Sequence, residues 1–216
     1  MLIDELIRDN FLKKILKKKN SVCLEIGCSN FRQTRIIKKF YNKIYSIDKF
    51  DYKKKDSSKK IVFQKIEAEK FNIPNEVKDI FFLGTIEHLT KPKIVLSKII
   101  NHLKKNNGNL YLMINNKYSL HRLLGYQMGL IKNLDSFTKS EKNHGHNFLF
   151  GENFFDNYFD KKNFIYKKNY IGIKPLPTLK MKGFIKKKDF KKIMFPRSLK
   201  KYSAYIFYKA KLKNSN

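Results

Sequence analysis

Val22-Cys23-Leu24-Glu25-Ile26-Gly27-Cys28-Ser29-Asn30 decides the fold of this chain. A short apolar run interrupted by one acid suits a strand buried on both faces, and the small and polar residues after it suit a tight turn into a helix. Glu25 is costly to bury at the end of such a strand unless it binds something. A second apolar strand, Ile44-Tyr45-Ser46-Ile47, ends in Asp48, 21 positions beyond Gly27. Together they describe a nucleotide-binding βαβ unit. Its first turn lets a ligand approach the backbone, and the acid after its second strand accepts hydrogen bonds from a ribose.

The same alternation continues on either side. Upstream, residues 2–19 place Ile3, Leu6, Ile7, Phe11, Ile15 and Leu16 on one helical face, which suits packing against a sheet or, alternatively, a membrane surface. Between the two strands a helix is expected over 31–41, burying Ile36, Ile37 and Phe40, and residues 51–60 read as a charged crossover. Ile61–Ile66 reads as strand three, ahead of Glu67-Ala68-Glu69, and residues 79–84 as strand four, ahead of Thr85-Ile86-Glu87-His88-Leu89. A helix over 92–104 leads to strand five, Leu110–Ile114, which ends in Asn115. Beyond it come a helix over 151–160 with Phe154, Phe155, Tyr158 and Phe159 as its apolar residues, a strand over 163–171 and a final strand over 202–210.

This pattern predicts an α/β, doubly wound, Rossmann-like fold with a mostly parallel seven-stranded sheet flanked by helices and an antiparallel final strand. Residues 1–20 form an N-terminal amphipathic helix on a single domain spanning 21–216, with insertions at about 117–150 and 173–201. Ligands in such sheets bind outside the carboxyl ends of the strands. Glu25, Asp48, Glu67, Thr85, Glu87, His88 and Asn115 all fall there.

Composition adds bounds. The net charge is +30, yet only five of the 48 basic residues are arginine. That lysine excess is what an AT-rich coding sequence produces by codon bias; selection for a polyanionic partner is the other reading. No run of eighteen apolar residues occurs and no signal-peptide pattern opens the chain, so neither a membrane span nor secretion is expected. Cys23 and Cys28 are too few for a disulfide scaffold and form no CxxC, which fits a reducing cytoplasm and no bound metal.

Leu24-Glu25-Ile26-Gly27-Cys28, Ile47-Asp48, Glu67-Ala68 and Thr85-Ile86-Glu87-His88-Leu89 followed by Pro92 resemble, in that order, the motifs of class I S-adenosylmethionine-dependent methyltransferases. The resemblance covers about residues 20–116 by motif and 144–210 more loosely. It implies S-adenosylmethionine as cofactor, bound by Glu25 and by a Gly27–Asn30 turn, including Cys28 and Ser29, that cradles the methionine part. Asp48 would meet the ribose, Glu67 and Ala68 the adenine, and Thr85 to His88 the neighbourhood of the sulfonium. Ser29 and Phe31 stand where the family has glycines.

Methyl transfer needs the acceptor held in line with the methyl carbon, and a base if the acceptor keeps a proton. His88, His144 and His146 are the candidate bases, and Asn115 and Tyr118 the candidate acceptor contacts. The segment after strand four lacks the Asn/Asp-Pro-Pro-aromatic run of enzymes acting on base amines. Its Glu-His-Leu form is similar to members that act on small molecules, lipid precursors and sugars, and His144 to Phe148 is similar to members found with polysaccharide synthesis. The resemblance thus implies O-methylation of a small-molecule, sugar/polysaccharide or lipid-linked acceptor at the inner face of a membrane or free in the cytoplasm. Alternatives are an RNA-binding or RNA-modifying methyltransferase using the basic 173–201 segment, with Phe184, Phe190 and Phe195 as stacking residues, and a non-catalytic or dinucleotide-binding module.

Overall fold

Alternate residues of β1 (Val22–Ile26) enter two different cores, and this explains why the strand is apolar on both sides. Leu24 and Ile26 join Ile80, Phe82 and Leu112 beneath the helix α3 (Pro92–Asn106). Cys23 joins Phe81, Tyr111 and Phe207 on the opposite face, under α1 (Ile3–Ile15) and α2 (Thr34–Ile37). A parallel sheet covered on both faces demands such runs. The computed structural model describes residues 3–51, 58–174 and 197–213.

Among the described residues, seven strands form one sheet in the order β3-β2-β1-β4-β5-β7-β6. The strands after β1 are β2 (Lys43–Asp48), β3 (Ile61–Lys65), β4 (Val77–Leu83), β5 (Asn109–Asn115), β6 (Phe164–Ile171) and β7 (Tyr205–Leu212). β1 to β5 pair in parallel, and β7 slots between β5 and β6, antiparallel to both. The expected Rossmann-like sheet with an antiparallel final strand is therefore present. The chain builds outward from β1 to β3, then returns to place β4 on the other side of β1. This reversal opens a crevice at the carboxyl ends of β1 and β4.

Local departures have physical causes. The helix expected over 31–41 shrinks to the four residues of α2, and Phe31, at φ +58°, stands outside any right-handed helix. The N–H groups of Lys39 and Phe40 then donate to carbonyls three residues back, a tightened turn. In α1 the fully buried residue is Leu12, 1% exposed and absent from the expected face. Its burial contributes about 1.5–3 kcal/mol. Phe11 packs edge-on against Phe207, with ring centroids 4.8 Å apart, so α1 lies on the sheet.

Residues 117–150, expected from sequence to be an insertion, contain α4 (Leu120–Gln127) and α5 (Lys139–Asn143). They precede α6 (Glu152–Lys161), where Phe155 and Phe159 are buried. The lysine-rich run at 52–57 and the bulk of the 173–201 insertion, including Phe184, Phe190 and Phe195, lie outside the described residues. Among those described, no helix is long and apolar enough to cross a membrane.

Candidate functional site

At the crevice between β1 and β4 lies a cavity of about 780 Å³, within the range of small-molecule sites. Gly27, Cys28, Ser29, Asp48, Glu67, Ala68, Thr85, His88 and His144 all line it. Thus the strand-end residues picked from four separate segments meet around one space, and one of the two later histidines joins them.

The turn after β1 is held rigidly. Gly27 has φ +78°, and a Cβ there would lie 2.2 Å from the Thr85 hydroxyl, so only glycine permits the two strand ends to touch. Gly27 and Cys28 donate their N–H groups to the Ile47 carbonyl at 2.8 and 3.2 Å. The N–H of Ser29 donates to Asp48 Oδ2 at 2.9 Å, and that of Phe50 donates to Oδ1 at 3.0 Å. Three successive donors of this turn, the N–H groups of Gly27, Cys28 and Ser29, are therefore spent within the protein. Ser29 and Phe31 both take left-handed backbone, φ +46° and +58°, the conformation glycine adopts freely. The Phe31 ring turns away from the cavity and packs edge-on against Phe63 at 5.2 Å. The bulky residue thus stabilises the turn from beneath and leaves the cavity wall clear.

Five acids (Glu5, Asp9, Asp48, Glu67, Glu69) and three strong bases (Arg8, Arg32, Lys49) line the cavity. In a chain with 48 Lys and Arg against 18 Asp and Glu, that is a local reversal of sign. Arg32 binds Asp9 through Nη2 at 2.6 Å and Glu5 through Nη1 at 2.6 Å, tying α1 to the glycine turn. Glu69 accepts from the Thr90 hydroxyl at 3.2 Å and the Lys91 N–H at 3.3 Å.

The α1 residues Glu5, Arg8 and Asp9 were missed in the sequence, as was Arg32. The available signals were acids at i and i+4 on α1 and an arginine in a chain that otherwise uses lysine. Such pairing favours arginine, whose planar fork binds two carboxylates at once.

His88 is half-buried, and burial lowers its pKa from 6.5, opposed by contact with backbone carbonyls. Its Nδ1 lies 3.3 Å from the Gly145 carbonyl, which can only accept, so Nδ1 carries the proton and Nε2 keeps a lone pair. His144 is fixed the same way by the Ser140 carbonyl, at 2.6 Å. His146 stands edge-on to His88 at 4.5 Å, and burial pushes its pKa down to about 4. The Asn147 and Phe148 N–H groups donate to the Glu87 carbonyl at 2.7 and 3.2 Å, stitching this histidine segment to the short helical turn that follows β4.

The remaining candidates lie elsewhere. Glu25 is buried behind the turn, where Thr34 Oγ1 donates to Oε2 at 2.5 Å while Oε1 has no partner among the described residues. Burial, with a contribution from Asp48, raises its pKa to about 8. His146 and Asn115 border a separate small hollow with Glu87, whose Oε1 accepts from the Asn115 N–H at 2.6 Å. Burial raises the Glu87 pKa to about 7. Tyr118 is 40% exposed and borders neither space; its ring packs over Gly151. Among the described residues, no group of three or more His, Cys, Asp or Glu side chains is arranged to hold a metal ion.

No family model and no curated protein matches the chain. Solved structures do. A Listeria monocytogenes protein, provisionally described as an S-adenosylmethionine-dependent methyltransferase, superposes with a TM-score of 0.63 at 12% identity, covering 98% of this chain and 99% of the other. S-adenosylmethionine-dependent methyltransferases of Mesorhizobium loti (TM-score 0.60, 7% identity, 97% and 99% covered) and Archaeoglobus fulgidus (0.58, 12%, 96% and 94%) have the same architecture. The fold is that of a class I methyltransferase.

Proposed function

We propose that this chain is an S-adenosylmethionine-dependent methyltransferase that binds its cofactor in the 780 Å³ cavity and methylates an oxygen of a small-molecule, sugar/polysaccharide or lipid-linked acceptor. The observation that carries the proposal is the chemistry of the wall. A dinucleotide needs free backbone N–H groups for its pyrophosphate. Here the Gly27, Cys28 and Ser29 N–H groups already have partners. Acids outnumber bases around the turn, five to three. That environment suits a ligand with an ammonium and a sulfonium and no phosphate.

The residues present fit such a ligand. Each Asp48 oxygen accepts one backbone hydrogen bond and retains lone pairs for vicinal hydroxyls. Glu67 and Ala68 border the same space one strand further on, as a purine site beside the ribose would require. S-adenosylmethionine supplies, when bound, an electrophilic methyl group for in-line displacement. Within this chain, Gly27 and Thr85 fix the floor of the site, and the neutral Nε2 of His88 receives the proton of the acceptor hydroxyl. His144, at the rim, is the alternative receiver. The buried free thiols of Cys23 and Cys28 suit a reducing compartment.

Isothermal titration calorimetry tests the cofactor. Saturable binding of S-adenosylmethionine and S-adenosylhomocysteine is expected, with Asp48→Ala weakening both by about 10- to 100-fold through loss of hydrogen bonds to a charged acceptor. Folded protein that ignored both at millimolar concentration, or bound a nicotinamide dinucleotide more tightly, would exclude the proposal.

A further inference from the structure

We propose a second functional surface: the tip of the 117–146 excursion, from Leu124 to Leu130, is a docking element for an anionic lipid bilayer. Residues 126–130 are all exposed, and three of the five are large and apolar. Tyr126 is 44% exposed, Met128 68% and Leu130 72%, with Leu124 beside them at 38%.

The local backbone gives this exposure a definite origin. The Leu130 N–H donates to the Gly125 carbonyl and the Gly129 N–H to the Tyr126 carbonyl, with Gly129 at φ +68°. This is a Schellman termination, in which the residue in the place of Leu130 usually folds back onto an apolar side chain five positions earlier. That position is Gly125, which has no side chain, and its neighbour Leu124 is itself 38% exposed, so Leu130 stays 72% exposed. The tip is nevertheless firm. Buried Arg122 donates to the Leu134 and Ser136 carbonyls at 3.1 and 2.9 Å and pairs with Glu141, joining α4 to α5.

Charge identifies the occupant. On this excursion Lys117 pairs with Asp135 and Arg122 with Glu141, which uses up its two acids. Lys132, Lys139 and Lys142 are exposed and have no acidic partner among the described residues. Aliphatic side chains flanked by unpaired lysines match the acyl boundary and headgroups of an anionic membrane. Single-stranded RNA would require several planar rings to stack on, and within the tip from Leu124 to Leu130 Tyr126 alone provides one. A protein partner would favour arginine and aromatic anchors, with few lysines. The base of the excursion ends at Asn143, His144 and Gly145 in the cavity wall, so docking would bring the site to the membrane surface.

Vesicle co-sedimentation tests this without any cofactor, so failure of the methyl-transfer proposal leaves it standing and the reverse also holds. The full chain is expected to bind phosphatidylcholine vesicles containing about one-third phosphatidylserine and to leave pure phosphatidylcholine vesicles in solution. The double variant Met128→Ser, Leu130→Ser should keep its melting temperature and lower the partition coefficient by about tenfold or more. The chain has no tryptophan, so Leu130→Trp provides a single reporter whose emission should shift to the blue with anionic vesicles. Absence of vesicle binding, unchanged binding by the double variant, or loss in that variant of single-stranded RNA binding with vesicle binding intact would each overturn the proposal.

Discussion

At the scale of single residues, the left-handed backbone at Phe31 decides more than its size does. A phenylalanine at a glycine position looks like an obstruction in the sequence. In three dimensions its ring lies under the turn against Phe63, and the cavity keeps its shape. His88 is the residue whose chemistry is most exposed to test. Burial holds its pKa below 6.5, so the neutral, proton-accepting form persists into mildly acid solution. The acidic limb of kcat/KM, once an acceptor hydroxyl is in hand, should therefore have its midpoint below 6.5. His88→Asn should lower kcat by about 10²- to 10⁴-fold, the usual worth of a positioned base. A limb above that value, or an unimpaired variant, would remove His88 from the role. The motif around His88 could be read directly, whereas the carbonyl of Gly145 that sets its tautomer could not, because 57 residues separate them.

At the scale of elements, arginine marks the joints. Arg32 fastens α1 to the glycine turn through Glu5 and Asp9, and Arg122 fastens α4 to α5. Where the chain elsewhere uses lysine, these positions exploit several donors at once, which an ammonium cannot match in geometry. Arg122→Met should destabilise the protein by about 3 kcal/mol in thermal unfolding, because Glu141 and two carbonyls lose a buried partner. Arg122→Lys should recover only part of that. Limited proteolysis should cut within 117–146 in Arg122→Met sooner than in the native protein. The capping box that starts α5 was readable, since Thr138 and Glu141 have the right spacing: Thr138 Oγ1 accepts from the Glu141 N–H at 3.1 Å, and Glu141 Oε2 accepts from the Thr138 N–H at 2.7 Å. It went unread because only five helical residues follow and they carry no apolar periodicity.

For the whole molecule, two buried acids make stability depend on pH in an unusual sense. Burial raises Glu25 to about 8 and Glu87 to about 7 from an ordinary 4.5. Between those values the folded state holds protons that the unfolded state has released. Their contribution is complete below about 4.5 and is lost as pH rises toward 7 to 8, with a slope of about 1.4 kcal/mol per pH unit for each group. Glu25→Gln removes one of these groups, so denaturant unfolding should show the variant gaining on the native protein from pH 5 to pH 8 by about that slope. Equal pH dependence of the two would refute the assignment. The sequence by itself determined the strand and helix order through 116, the parallel core and the strand-end acids, because hydrophobic period and turn chemistry are local properties of a chain. Only the tertiary structure decided which of those polar groups share a cavity, that Glu25 sits behind its wall, and that α1 and the histidine segment close it. Those relations join residues far apart in the chain, and packing alone sets them.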